Sequence, residues 1–229
     1  MTQQLTLRLS PQEVYRLDNF LFADPEIAEA IETFCLGEGY PMLFFSGEKG
    51  AGKTHLCLAI QERLDRQSVT YLNLNELRQS AAPQALEGVV LADWVMIDDV
   101  DAIAGSDAWE EALFHLFNRL QQTPSRMVFT SRTPPSELAL DLPDLRSRLS
   151  LALVFRLSLM TDEAKQAALV LQAQSRGLIM PDEVASYLLR HAGRDMPSLM
   201  RILQQLDAAS LQAKRRLTIP FVKDVIHDI

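Results

Sequence analysis

Apolar positions recur at helical spacing in residues 26–36, EIAEAIETFCL, where Ile27, Ala30, Ile31 and Phe34 share one face ahead of Gly37. This predicts an amphipathic helix with a glycine stop. Pro41 then opens MLFFS, a short apolar run bounded by turn formers, the pattern of a strand buried on both faces. A glycine-rich turn leads into HLCLAIQERLDRQ, which reads as a helix; VTYLNL, LADWVMIDDV and SRMVFTS read as further strands, and apolar LALVFRL closes the series. Between the last two of the three, DAWEEALFHLFNRLQQ is strongly amphipathic. Strands alternating with helices predict an α/β fold, a parallel sheet covered on both faces.

After residue 160 the period changes. TDEAKQAALVLQAQSRG, PDEVASYLLRHAG, DMPSLMRILQQLDAASLQAK and TIPFVKDVIHDI each read as a helix, with Thr161, Asp182, Asp195 and Thr218 as caps and Gly177 and Gly193 as stops. The pattern therefore predicts a sheet domain over 12–155 and a small helical domain over 156–229, preceded by a short segment, 1–11.

Composition narrows the class. The 229 residues are 48% hydrophobic and 23% charged, ordinary for a globular protein and against general disorder. Cys35 and Cys57 are the two cysteines, too few for a disulfide framework and in no CxxC or Cys/His cluster. The N-terminus lacks a signal-peptide pattern and no apolar run approaches a membrane span. These features lead us to expect a cytoplasmic protein. The net charge of −8 weighs against strong direct DNA binding through a broad basic surface. That charge is uneven: residues 1–149 carry a net −10 and residues 150–229 a net +2, which places the same boundary near residue 150.

Gly47-Glu48-Lys49-Gly50-Ala51-Gly52-Lys53-Thr54 fits G-x-x-x-x-G-K-[ST] in full, between a predicted strand and a predicted helix. Gly47, Gly50 and Gly52 let backbone amides close around a phosphate at a helix N-terminus. Lys53 would reach the β- and γ-phosphates and the Thr54 hydroxyl would reach Mg²⁺. An acidic residue at the end of a second strand is expected near the metal, and Val95-Met96-Ile97-Asp98-Asp99 supplies it. Asp98 would hold Mg²⁺ through water, and Asp99 would orient an attacking water. Thr130 and Ser131, at the tip of SRMVFTS, are placed to read the γ-phosphate, although a Thr-Ser pair is also ordinary strand-to-loop punctuation. From Asp93 to Glu111 there are seven acidic and no basic residues, so this edge is strongly negative.

GEKGAGKTH, VMIDDVDAIAG, WEEALFHLFNRL, FTSRTPPSEL, LPDLRSRLS and RLTIPFVKDVI together resemble the AAA+ module of the DnaA family of bacterial replication initiators, over roughly residues 4–229. DLPDLRSRL and RRLTIPFVK are most similar to the truncated, Hda-like regulatory branch. The resemblance implies an AAA+ fold with a helical lid, bound ATP or ADP with Mg²⁺, and Arg148 as an arginine finger acting in trans, with Arg146 the neighbour most easily confused with it. It also implies two protein partners, the DnaA initiator and the DNA polymerase sliding clamp (its β subunit), and leaves a homo-oligomer open. Initiators continue into a helix-turn-helix domain; none follows the lid here, so a regulator is expected. In the regulatory branch an N-terminal Q-L-x-L-x-L-like segment docks on the clamp, and Gln4, Leu5, Leu7 and Leu9 stand in that pattern, with Arg8 where a proline is often found. The same six residues are also the pattern of an amphipathic edge strand. The lid arginine that senses the γ-phosphate in these ATPases is Pro197 here, with Arg194 and Arg201 one turn to either side. Weak hydrolysis by the isolated protein is therefore expected.

Two other classes remain to be weighed: a helicase loader or other DNA-remodelling AAA+ ATPase, and a small-molecule P-loop kinase. The first needs a basic, aromatic groove that the sequence does not offer. The second does not account for the Asp98-Asp99 pair, the SRL motif and the helical C-terminal part together. Trp109, Leu113, Phe114, Leu116, Phe117 and Leu120 read as packing, and His55 as a helix-face residue rather than a base.

Overall fold

A computed structural model describes residues 15–64, 68–89, 92–193, 195–213 and 216–227. The chain divides into two compact units, Tyr15–Leu159 and Met160–Ile229.

The first unit is built on five parallel strands: β1 (Met42–Ser46), β2 (Val69–Asn73), β3 (Trp94–Asp98), β4 (Arg126–Ser131) and β5 (Leu153–Arg156), in the order β2-β3-β4-β1-β5. Helices α1 (Pro25–Cys35), α2 (Lys53–Arg63), α3 (Leu74–Ser80), α4 (Asp107–Gln121) and α5 (Pro143–Leu149) cover it. Alternation along each strand divides the core in two. Phe44, Val95, Ile97, Met127 and Phe129 pack with Leu74, Leu113, Phe117 and Leu149 of α3, α4 and α5. Leu43, Phe45, Met96 and Val128 point the other way, onto Ile31 and Phe34 of α1 and Leu56 and Ile60 of α2. Every residue of β3 is buried, as a central parallel strand requires.

The ends of two strands and two short helices differ from the pattern-based reading, each for a local reason. β2 ends at Asn73, not Leu74, because the Asn73 side chain accepts from the Glu76 amide and caps α3. β3 ends at Asp98, because Asp99 turns into the left-handed region at φ 58°, ψ 51°. The short helices α3 and α5 span too few turns to show a period, so the sequence pattern passed over both.

The second unit is four helices, α6 (Asp162–Ser175), α7 (Asp182–His191), α8 (Met196–Ala213) and α9 (Ile219–His227), around Leu169, Val184, Leu188, Leu199, Leu203, Leu206 and Val222. Thr161, Asp195 and Thr218 each accept a backbone N–H at a helix start. Asp182 does not cap: it is the first residue of α7, and Pro181 holds the cap position without a side-chain bond. Among the described residues no helix is long and apolar enough to cross a membrane.

One buried carboxylate ties the loop after β3 to the start of α5. Glu110, fully buried in α4, accepts from the Gly105 amide at 2.8 Å and from the Leu142 amide at 2.8 Å. Removing it takes the acceptor from the Gly105 amide, which water can reach, and from the partly buried Leu142 amide. Glu110→Ala is expected to lower unfolding free energy by about 1.5–3 kcal/mol in urea titration, the worth of a hydrogen bond to a charged group, and Glu110→Gln, which keeps a single acceptor, by less.

Candidate functional site

The C-terminal ends of the parallel strands bring the site together, the expected place for a ligand in an open parallel sheet. Register sets Ser46 beside Ser131 and Arg156, and Asn73 beside Asp98. The loop from Gly47 to Gly52 leaves β1 and enters α2 at Lys53. Its first residue hangs from the neighbouring strand, the Gly47 amide donating to Ser131 O at 3.1 Å.

Two glycines of that loop cannot be replaced without movement. A Cβ on Gly47 would lie 2.5 Å from Leu157 O, and one on Gly52 would lie 2.6 Å from the Phe20 ring. Gly52 also holds φ +93°, a backbone state that side chains disfavour, and Gly50 shares it at φ +90°. The loop is thus pressed between the strand ends on one side and an N-terminal aromatic on the other. Phe20 in turn contacts the His55 ring, whose centroid lies 5.3 Å away. His55 Nε2 lies 3.2 Å from Arg16 O and 3.1 Å from Asn19 Oδ1, which places the proton on Nε2 facing these acceptors. Burial lowers its pKa. His55 clasps the segment before α1 to the loop helix, the structural part expected of a helix-face residue.

Lys53 is buried, and its ammonium donates to Gly47 O at 2.7 Å and Glu48 O at 3.1 Å, so it lies inside the curl of the loop. Burial lowers its pKa, with Asp99, Asp101 and Asp98 opposing that fall. Thr54 Oγ1 donates to Asp98 Oδ2 at 2.8 Å, across 44 residues of sequence. Asp98 is fully buried and is the hub of the site: Oδ2 also accepts Tyr71 Oη at 2.8 Å and Asn73 Nδ2 at 3.4 Å, while Oδ1 accepts the Thr130 hydroxyl. Thr130 Oγ1 accepts in turn from the Asp99 amide at 3.0 Å.

Asp99 is the one non-glycine residue with positive φ among those described. Aspartate tolerates this region better than most residues, at some strain. Burial first, then Asp98 and Asp101, push its carboxyl pKa up, while Lys53 and a hydrogen bond with Asn73 restrain it. A carboxylate made more basic beside the phosphate loop suits holding a water by its proton.

The structure therefore brings Gly47, Gly50, Gly52, Lys53, Thr54, Asp98, Asp99 and Thr130 into one site. Ser131 sits at the same edge, but its hydroxyl donates to Thr133 O and serves its own turn. Tyr71 and Asn73 were missed by the sequence reading. Their alternate positions at the end of a strand, followed by a capped helix, were the available signal. Arg132 follows the tip of β4; its backbone amide donates to Asp101 Oδ1 at 2.9 Å and its Nε lies 3.3 Å from Asp101 Oδ2.

The donor set fits a nucleotide with Mg²⁺. One hydroxyl and one carboxylate 2.8 Å apart, beside a glycine-rich loop that enters a helix N-terminus, match an ion that keeps its waters and shares phosphate oxygens. Among the described residues no group of three or more His, Cys, Asp or Glu forms a metal cage.

Arg148 lies on α5 with other partners. Its Nη1 donates to Gln121 Oε1 at 2.6 Å, and the guanidinium sits 4.9 Å from the Phe114 ring and 5.8 Å from the Phe117 ring. Arg146 turns back onto Leu140 O within its own segment. Pro197 is the second residue of α8 and is exposed, and Arg201 Nη2 donates to Ser198 Oγ at 3.0 Å. Arg194 and the N-terminal residues Gln4, Leu5, Leu7, Arg8 and Leu9 lie outside the described residues.

Residues 22–156 match the family model for the bacterial DnaA ATPase domain, and residues 162–226 match that for the Hda lid domain. The fold is similar to domain III of the replication initiation protein DnaA from Thermotoga maritima, at 22% identity over 93% of this chain and 96% of that one, with TM-score 0.74. AMPPCP-bound DnaA from Aquifex aeolicus is similar at 20% identity over 86% and 66% of the two chains, TM-score 0.66. The RuvB Holliday junction branch migration motor of Thermotoga maritima is similar at 18% identity over 94% and 72%, TM-score 0.66. Identities this low establish a shared AAA+ architecture and nothing finer. With the ATPase-domain match spanning more than half of the sequence and the Hda-type lid following it, the chain belongs to the DnaA family, as an Hda-like member.

Proposed function

We propose that this chain is a nucleotide-binding regulator of chromosomal replication initiation. Tethered to the sliding clamp, it presents Arg148 to ATP-bound DnaA, stimulates hydrolysis there and so inactivates the initiator. Its place of work is the cytoplasm, at the nucleoid through the clamp.

The observation that carries the reading is the arrangement of Arg148. Two aromatic rings and Gln121 hold its guanidinium on α5, and none of these contacts belongs to the phosphate loop of its own chain. A half-buried, pre-ordered guanidinium loses little freedom when it meets a phosphoryl group on a neighbour. The Hda-type lid match behind a DnaA-type ATPase domain supports the choice of partner.

In this chain amides of the loop after Gly47, up to Lys53, and the Lys53 ammonium would hold the phosphates of ATP or ADP. Thr54 and Asp98 would hold Mg²⁺, which when bound neutralises charge on the phosphate oxygens. Tyr71, Asn73 and Thr130 fix the Asp98 carboxylate in place, and Asp99 would take a proton from a water. Pro197 brings no charge to the lid, so hydrolysis by the isolated chain is weak and its nucleotide is chiefly a structural ligand.

Three outcomes test these statements. Lys53→Ala is expected to weaken adenine-nucleotide binding at least tenfold in calorimetry, because a charge-assisted contact to phosphate is worth about 1.5–3 kcal/mol. A folded variant with unchanged affinity would remove the phosphate assignment. Arg148→Ala should keep nucleotide and clamp binding while losing stimulation of DnaA ATPase; undiminished stimulation would remove the finger. In pull-downs with purified clamp, Gln4→Ala with Leu5→Ala should lose recovery, and equal recovery would refute the proposed motif.

A further inference from the structure

The second unit holds a cavity of about 390 Å³ between the turn that follows α6, the C-terminal part of α8 and the segment before α9. Arg176, Asp207 and Arg216 line it, together with Ile179 and Leu211. At 74% and 79% exposure, those two are the most exposed large apolar side chains among the described residues. Arg176 directly follows α6, where a basic side chain commonly serves the free carbonyls of the helix end. Here backbone amides already do so: Gly177 donates to Gln174 O and Leu178 to Ala173 O, both at 2.9 Å. The Arg176 guanidinium is left over, and its Nε and Nη1 are buried with no hydrogen-bond partner. The residue as a whole is half-buried, so the group is not sealed off. Among the described residues Arg176, Asp207 and Arg216 form no ion pair, although they line one cavity.

We infer that this cavity docks an acidic peptide segment of a partner protein, one that sets a large apolar side chain beside a carboxylate. The nucleotide site takes no part in it. Guanidinium nitrogens buried without acceptors forgo the hydrogen bonds they make in water. A carboxylate restores them two at a time, in the geometry of the guanidinium fork. Arg216 adds a second positive charge against the single negative charge of Asp207. The surrounding sequence has the same sign, since Arg216 ends the run Lys214-Arg215-Arg216. Ile179 and Leu211 give the site its second requirement, because covering them is favourable in proportion to the apolar area taken from water. A nucleic-acid backbone fits less well: it brings a row of phosphate charges past Asp207 and offers nothing to the two apolar side chains.

The experiment measures fluorescence anisotropy of a labelled synthetic peptide, Asp-Glu-Leu-Phe-Asp-Glu, titrated with the full chain. Saturable binding is expected for wild type, and Arg176→Ala should weaken it about tenfold, the loss of one charge-assisted contact. Ile179→Ser should weaken it several-fold, and Asp207→Asn, which removes the one like charge, should strengthen it. The amide peptide Asn-Gln-Leu-Phe-Asn-Gln and the polar peptide Asp-Glu-Ser-Ser-Asp-Glu should each bind more weakly than the first. Folded wild type without saturable binding below about 1 mM would overturn the inference. So would equal affinity for the amide peptide, an Asp207→Asn variant that binds no better, or displacement of the peptide by an oligothymidylate of equal charge at equal concentration. Should Arg176→Ala fail to fold, Ile179→Ser carries the test at a position that stands in solvent, and unchanged affinity there refutes the site.

Discussion

A carboxylate buried completely inside a protein must find donors, and Asp98 finds four. They come from the loop helix (Thr54), from β2 (Tyr71 and Asn73) and from β4 (Thr130), while Asp98 itself ends β3. Burying such a group without partners would be strongly unfavourable. The requirement therefore fixes the relative positions of four elements at once. Thr54 is held to Asp98 from the loop helix, and Thr130 both anchors Asp98 and carries the amide of Asp99. The same constraint gives the site its order: the groups that would meet phosphate and metal are placed by one another, and the helices behind them supply the apolar backing.

Around that hub the unit separates two kinds of arginine. Arg148 is stacked and hydrogen-bonded, an ordered cation on a helix whose start is secured through Glu110. Arg132 is tethered at its backbone and open at its tip. The first arrangement suits a group that acts on a neighbour without rearranging; the second is an ion pair open to solvent, worth little to the fold.

Much of this was legible in the sequence. The loop from Gly47 to Thr54 could be read because its chemistry needs particular residue types at fixed spacing. The strands were readable because a parallel sheet covered on both faces makes nearly continuous apolar runs, as β3 shows. The partners of Asp98 were not readable in the same way. Tyr71 and Asn73 reach it through register, a long-range property that no local pattern contains. Nor could the pattern show that Ser131 bonds to its own turn while Thr130 bonds to the hub, since adjacent strand residues face opposite sides. The turn at Asp99 was hidden because a left-handed aspartate looks, in sequence, like one more polar residue after a strand.

The strand order also has a consequence for how the protein comes into being on the ribosome. β1, which carries the phosphate loop, pairs with β4 and β5 and with neither of the strands nearest to it in sequence. Its partner residues, such as Ser131 for Ser46, are made 85 positions later. Pairings so distant close late, after the loop entropy between them has been overcome. A nascent chain that has already emitted the whole glycine-rich loop still has no strand against which to hold it. Competence to bind a ligand thus arrives with the completion of the sheet, and an unfinished copy of this protein offers no half-built site.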